Sequence, residues 1–510
     1  MYIKFEAPST DDGAKKTHDF FEGKDKMSTV RTRFAPSPTG FMHVGNLRTA
    51  LYAWLLARSQ DGKFILRIED TDRARLVENA VSVIYSTLKR AGLTHDEGPD
   101  IGGPCGPYIQ SERKALYAEY AKQLVASGDA YYCFCDKQEE ADADAGSVPS
   151  TLSCPGNCRD LDPAEAERRA AAGEPYVIRQ KIDRSQSSSF TDTVFGEITI
   201  ENKVLDDQIL LKRDGMPTYN FANVVDDHLM GITHVVRGSE YLSSTPKYNL
   251  LYRAFGWELP TYVHLPLIMG RDADGNISKL SKRHGSVSFE NLIAEGYLSE
   301  AIVNYIALLG WSPKSDREIF SLDELVAAFN LAGLNKSPAV FDYDKLKWMN
   351  AEHIKAMPPE KFAELSLPFS GLENTPLAAK YPAIAALLQA RTELLTEIPA
   401  KIAFFREQPE YSIELFRHQK SRSDETTAKA TLIELEPKFA ALAEWNRDTV
   451  AALLKEYAEA KQVKVGQPMW AARIAVSGQA VTPGGPGEIM EILGREESLR
   501  RIRRAIEKLS

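Results

Sequence analysis

Arg33-Phe34-Ala35-Pro36-Ser37-Pro38-Thr39-Gly40-Phe41-Met42-His43-Val44-Gly45-Asn46 decides how the rest of the chain is read. A short apolar run, Val30 to Ala35, ends in two prolines and a glycine, and an apolar helix-forming run, Leu47 to Ser59, starts at His-Val-Gly-Asn. Proline cannot donate to a central sheet ladder and fixes φ, so a strand must stop at Pro36. Glycines 40 and 45 let backbone come close to a ligand, and a helix start offers free N–H groups to an anion. The expectation is a strand–loop–helix that holds phosphates and sets the imidazole of His43 against charge developing on them.

Outward from this stretch, Lys63 to Ile68 reads as a second strand and Ala74 to Ala91 as a second helix, ended by Gly92. The β-α-β-α order implies a parallel sheet with crossover helices, an α/β nucleotide-binding domain of doubly wound type. The Gly/Pro-rich loop Glu97 to Tyr108 marks a boundary, and Cys105 in it has no partner at a telling spacing. From Ser111 to Met216 the pattern changes to a helix (Glu112 to Gly128), a cysteine-bearing region, a polar helix (Pro163 to Gly173) and short strands (Tyr176 to Ile182, Phe190 to Thr193, Glu197 to Ile200). The sheet pattern returns at Asn220 to Val225 and His234 to Arg237, so 111–216 is an α/β insertion splitting a domain made of 27–110 and 217–285. Helices dominate 286–345, and 346–510 reads as all-α, in two subdomains.

Composition is that of an ordinary globular protein, with 43% hydrophobic and 26% charged residues over 510 positions, too long for one core. The net charge of −9 argues against a nonspecific polyanion binder, although local patches, not totals, steer RNA. No apolar run is long enough to cross a membrane. Residues 1–26 contain several acidic residues, unlike a transit peptide, and carry no apolar signal region, so they read as a flexible extension of a cytoplasmic protein. The last helix, with Arg495, Arg500, Arg501, Arg503, Arg504 and Lys508, suits either a phosphate contact or a solvated face.

Cys133-Phe134-Cys135 and Cys154-Pro155-Gly156-Asn157-Cys158 form two close pairs with eighteen residues between them. Four thiolates in two pairs are the usual ligand set of structural tetrahedral zinc, and buried thiols are the alternative. Such a closed site leaves no position for substrate and would brace the insertion.

Far downstream lies the basic pentapeptide Lys279-Leu280-Ser281-Lys282-Arg283, in a loop rich in Gly, Asp and Asn. Together with His43-Val44-Gly45-Asn46 it resembles the two ATP signatures of class I aminoacyl-tRNA synthetases, with Asn46 in the last place of the first. Between them stand Arg67-Ile68-Glu69-Asp70-Thr71-Asp72 and Pro217-Thr218-Tyr219-Asn220-Phe221-Ala222-Asn223-Val224-Val225-Asp226-Asp227-His228. The set is similar to bacterial-type glutamyl-tRNA synthetase, densely from Arg31 to Asn350 and more thinly to the C-terminus.

The resemblance implies a glutamate–tRNA ligase that activates L-glutamate with ATP and Mg²⁺ and charges tRNA(Glu), acting as a monomer. It makes the insertion an acceptor-end holder, 286–345 a stem contact and 346–510 an anticodon reader. Catalysis falls to His43, Lys279 and Lys282, and ATP binding to these with Gly45, Asn46, Leu280, Ser281 and Arg283. The amino acid site comprises Arg33, Ala35, Ser37, Glu69, Tyr219, Asn223 and Arg237. Glutamate carries two negative groups and one positive one, which suits two arginines for its carboxylates and Glu69 for its ammonium.

A tRNA-base glutamylating relative lacks the helical C-terminal region, and glutaminyl-tRNA synthetase has β-barrels there, so the stretch after Leu346 argues against both. The alternative kept open is a form that also charges tRNA(Gln). Discriminating members carry an arginine where Ala403 aligns, with Arg406 three residues on.

Overall fold

The computed structural model describes residues 29–72, 77–135, 154, 157–272 and 274–510. The expected extension 1–26 lies outside them. β1 (Arg31–Phe34) and β2 (Lys63–Leu66) pair in parallel, Arg31 opposite Lys63, with α1 (Val44–Ser59) as the crossover. The chain leaves the strand as the prolines require: the carbonyls of Phe34 and Pro36 accept the amides of Arg67 and Glu69 at 3.0 and 3.1 Å. α1 is buried nearly all round, including every residue from Ala50 to Ala57, so it is a core helix and not an amphipathic one. α2 (Ala80–Arg90) follows a left-handed Asn79, whereas the expected start at Ala74 falls at 73–76, outside the described residues.

The insertion opens with α3 (Lys114–Ser127) and contains the antiparallel sheet β3 (Ala130–Cys133), β4 (Val177–Gln180) and β7 (Ile209–Leu211), with α4 (Pro163–Ala171) beside it. Its hairpin β5 (Ser187–Asp192) and β6 (Gly196–Glu201) belongs to another sheet. That sheet runs β6-β5-β9-β8, with β8 (His234–Gly238) parallel to β9 (Thr261–Leu265), and β5 meets β9 where Asp192 faces Tyr262. The Arg31 amide donates to Thr233 Oγ1 and its carbonyl accepts the Thr233 amide, carrying β8 alongside β1.

Asn220 to Val225, expected as a strand, is instead the helix α5 (Tyr219–Leu229). Local β-branched content loses here to tertiary contacts. Helical spacing buries Phe221, Val224 and Val225 and turns Asp226 and Asp227 onto buried guanidinium groups. α6 (Thr245–Ala254) packs beside it.

β10 (Ile268–Arg271) and β11 (Ile277–Lys279) form a hairpin, with β12 (Ala339–Val340) parallel to β10. Then come α7 (Phe289–Ala294), α8 (Ser299–Ala307) and α9 (Leu322–Ala328). α10 (Tyr343–Ala356) crosses the boundary drawn at 346. Its Leu346 and Met349 belong to the catalytic core around α1, and its Ile354 belongs to a second core. That second core joins the C-terminal helices, α11 (Pro359–Ser370) through α12 (Tyr381–Leu388), α13 (Ile398–Arg406), α14 (Glu425–Ala440), α15 (Arg447–Ala460), α16 (Gly466–Ser477), α17 (Pro486–Leu493) and α18 (Arg495–Lys508).

The cations of α18 find partners within the protein. Arg500 and Arg501 bond Glu497, Arg503 bonds Glu436, Arg504 and Lys508 bond Glu410, and Arg495 bonds the Leu442 carbonyl. Arg495, Arg503, Arg504 and Lys508 link α18 to its neighbours, and Arg500, Arg503 and Arg504 keep much of their side chains at the surface.

Candidate functional site

A cleft of about 1570 Å³ opens beyond the carboxyl ends of β1, β2 and β8, where ligands bind in open α/β sheets. It exceeds the roughly 300–1,000 Å³ usual for one small ligand. Its wall takes Arg33, Ala35 and Ser37 from β1 and the loop after it, Glu69 from beyond β2, and Tyr219 and Arg237 from α5 and β8. The lining also takes His43, Gly45 and Asn46 with Lys279, Leu280 and Ser281. The two signature loops, more than two hundred residues apart in the chain, thus face one space.

The helix start works differently from the expectation. The Val44 amide donates to the Val287 carbonyl, Gly45 to His43 Nδ1 at 3.0 Å, and Asn46 and Leu47 to the His43 carbonyl. None of these N–H groups is left over for an anion, because the imidazole caps its own helix. Burial, with Lys279 adding to it, lowers the His43 pKa, so the ring is neutral at pH 7. Since Nδ1 accepts, its proton sits on Nε2. Gly45 is needed for space: a Cβ there would stand 3.2 Å from His43 Nδ1.

The second loop is held from behind. Ser281 N–H donates to His284 Nδ1 at 3.0 Å, and Ser278 Oγ lies 3.1 Å from His284 Nε2. A Cβ on Gly270 would come within 2.5 Å of that ring, so only glycine admits it. Arg283 is exposed and bonds Ser278 Oγ outside the cleft. The backbone of Lys282 opens the short helical turn Lys282–His284.

The two arginines of this wall differ in electrostatics. Arg33 gives its Nε to Asp227 at 3.0 Å and Nη1 to the Val236 carbonyl at 3.3 Å. Asp227 also binds Arg67 Nη1 at 2.8 Å, and Arg67 Nη2 reaches Glu69 at 3.2 Å. Burial opposes the charge on Asp227, yet Arg33 and Arg67 hold its carboxyl below the usual range. Burial dominates at Glu69 and pushes its pKa up to about 7, against the pull of Arg67 and Arg33. Arg237, by contrast, has no carboxylate in contact among the described residues. Its Nε donates to His264 at 3.0 Å and its Nη2 to Thr245 at 2.7 Å, under the rings of Tyr241, Tyr248 and Tyr262.

Asn223 does not line the cleft. It is buried in α5, its amide donating to the Tyr219 carbonyl at 2.7 Å. Sequence reading gave no role to Arg67, Asp226, Asp227 or Arg113. Asp226 takes Arg113 at 2.8 Å together with Gln110 and Tyr117, and so secures α5 to the start of the insertion. The available signal was an adjacent acidic pair within an otherwise apolar helix. Asp192 and His264 were missed too, although a histidine inside Tyr262-Val263-His264-Leu265 stands out.

Cys133, Cys135, Cys154 and Cys158 bring their sulfurs within 4.8 Å of one another, with separations of 3.3 to 3.6 Å where they touch. A tetrahedron of sulfurs about 2.3 Å from zinc has edges of about 3.8 Å, so the donor set fits that ion. Among the described residues, no helix is long and apolar enough to cross a membrane.

Residues 29–348 match the family described as tRNA synthetases class I (E and Q), catalytic domain, and 361–506 match an anticodon binding domain. The chain is 54% identical over 482 residues to the glutamate–tRNA ligase of Clostridium botulinum, covering 94% of this chain and 98% of that protein. Against that of Clostridium tetani it is 52% identical over 483 residues, with 94% and 98% covered. The crystal structure of a glutamate tRNA ligase from Elizabethkingia meningosepticum in complex with its amino acid matches with a TM-score of 0.83 at 34% identity, covering 94% of this chain and 100% of that one. The shared cleft, the two signature loops and the helical C-terminal region agree with these matches, and the chain belongs to the glutamate–tRNA ligase family of class I aminoacyl-tRNA synthetases.

Proposed function

We propose that the cleft joins L-glutamate to ATP through the residues just described and passes the glutamyl group to the 3′ end of tRNA(Glu). The observation that carries this is one cleft lined by two buried arginines and a carboxylate together with His43 and Lys279. The α-carboxylate attacks the α-phosphorus of ATP in line with departing pyrophosphate. The 2′-hydroxyl of the terminal adenosine then attacks the adenylate carbonyl, and AMP leaves.

The protein's share is placement and charge. His43 Nε2–H and Lys279 lie against the phosphates, and Lys282 adds charge as they rearrange. Arg33 takes the γ-carboxylate through its Nη groups, Arg237 the α-carboxylate, and Glu69 the ammonium. Ala35, Ser37 and Tyr219 complete the wall, with Asn223 supporting Tyr219. Glutamine is isosteric with glutamate, so charge must separate them. A guanidinium left partly unpaired by an amide costs on the order of 2–5 kcal/mol.

Zinc on the four cysteines would brace the insertion as a structural cross-link. Mg²⁺ carried by ATP would supply charge neutralisation on the phosphates; besides the cysteines, no cluster of metal-ligating side chains gathers among the described residues.

A second reading extends the substrate to tRNA(Gln). Ala403 and Arg406 are both exposed one turn apart on α13, within the segment matched to the anticodon binding domain, and alanine offers no guanidinium to reject a base. Charging assays with both purified tRNAs separate the two readings. For the amino acid site, pyrophosphate exchange on Arg33→Gln should show severe loss of glutamate activation and a reduced preference over glutamine. Arg237→Gln should weaken both amino acids alike. Unchanged preference and unchanged KM in both variants would move the pocket elsewhere.

A further inference from the structure

We infer that Asp192 and His264 are positioning residues for Arg237, holding its guanidinium for the substrate carboxylate while leaving its charge uncancelled. This rests on the reading that Arg237 binds the amino acid.

Both side chains are fully buried. Asp192 Oδ2 accepts His264 Nδ1 at 2.7 Å and the His264 amide at 3.1 Å, while Oδ1 accepts the amides of Val194 and Phe195 at 2.9 and 2.8 Å. With both its oxygens engaged the carboxylate cannot turn, and it holds the His264 proton on Nδ1. Nε2 therefore offers a lone pair, which Arg237 Nε–H fills at 3.0 Å. Thr245 Oγ1 takes the next position on the same edge of the guanidinium, at 2.7 Å from Nη2, while its own hydroxyl donates to the Tyr241 carbonyl.

The contrast with Arg33 gives this chain its meaning. Arg33 is anchored at the same atom, Nε, by the carboxylate of Asp227, which it shares with Arg67. Arg237 is anchored there by an imidazole, and Asp192 reaches it only through that ring. Burial, helped by the Arg237 charge, outweighs the hydrogen bond to Asp192 and lowers the His264 pKa to about 4, so the imidazole remains a neutral acceptor at working pH. A fixed guanidinium with its charge intact suits a carboxylate that comes and goes. The anchor is supplied by β5, a strand of the insertion's own hairpin.

Pyrophosphate exchange on the full chain tests the inference. In Asp192→Asn the amide group faces Nδ1 and forces the proton onto Nε2, so that donor meets donor at Arg237, a tautomer error of the kind known to cripple catalytic histidines. Asp192→Asn and His264→Leu should raise KM for glutamate by about 10- to 100-fold, the scale of a misplaced binding group, with KM for ATP unchanged. His264→Gln, whose side-chain oxygen can accept from Arg237 while its NH₂ reaches Asp192, should remain near the parent. Thr245→Val, a milder change, should show the same split to a smaller degree. On an Arg237→Gln background, Asp192→Asn should add nothing.

Parallel losses for glutamate and ATP in all these variants, or an Asp192→Asn effect that multiplies with Arg237→Gln, would overturn the positioning role while leaving Arg237 as a binding residue. An Arg237→Gln protein with an unaltered KM for glutamate would overturn the Arg237 reading itself, and the positioning role with it.

Discussion

His43 Nδ1 accepts the Gly45 amide at 3.0 Å, so the imidazole caps α1 and carries its proton on Nε2, beside Lys279 and Leu280. The capping bond converts a flexible ring into a donor of known direction. The same bond consumes an amide that the sequence alone assigns to phosphate.

Gly45→Ala tests that geometry. The added methyl would lie 3.2 Å from Nδ1 and must push the ring aside. Displacing an oriented donor by a fraction of an ångström should slow pyrophosphate exchange by at least about tenfold, with the melting temperature nearly unchanged. An unaltered rate would show that His43 needs no fixed direction.

Glu69 makes glutamate binding depend on pH. Its pKa of about 7 means that the free site holds a proton at pH 6, and an arriving ammonium must expel it. KM for glutamate should rise about tenfold per unit as pH falls below 7, and Glu69→Gln should flatten the profile while weakening binding throughout. Stability follows the opposite sense. Because the native pKa is raised above the usual carboxylate value, this group's contribution is present below pH 4.5 and is lost as pH rises through 7. Urea titrations at pH 5 and 7.5 on parent and Glu69→Gln would isolate it.

The four cysteines should hold one zinc per chain, measurable by elemental analysis of the purified protein. Cys158→Ser should lower that content and expose the remaining thiols to a labelling reagent. A zinc-free parent with all four thiols open to the reagent in the native state would count against a metal site.

Removing the C-terminal helices should abolish recognition of anticodon changes while sparing ATP binding. The cut belongs after Met357 and not at Leu346, since Leu346 and Met349 seal the core around α1. Charging of anticodon variants by the truncated protein, unchanged from the parent, would assign anticodon reading elsewhere.

Local sequence determined the strand–loop–helix at Arg33 to Asn46, since two prolines must end a strand wherever they fall and the apolar run beyond must be helical. It also determined the paired cysteines and the basic pentapeptide, whose residue types carry their chemistry wherever the chain puts them. Tertiary structure decided what each of these groups has left to give. Asn220 to Val225 became a helix because helical spacing brings Asp226 and Asp227 onto Arg113, Arg67 and Arg33. The cations of α18 were spent on neighbouring glutamates and a carbonyl, and the free N–H groups at α1 on His43 and Val287. Arg33 and Arg237 look alike in the sequence, yet one is anchored by a carboxylate and the other by a neutral imidazole. Such differences come from partners up to two hundred residues away, and no pattern along the chain encodes which partner a buried charge will meet.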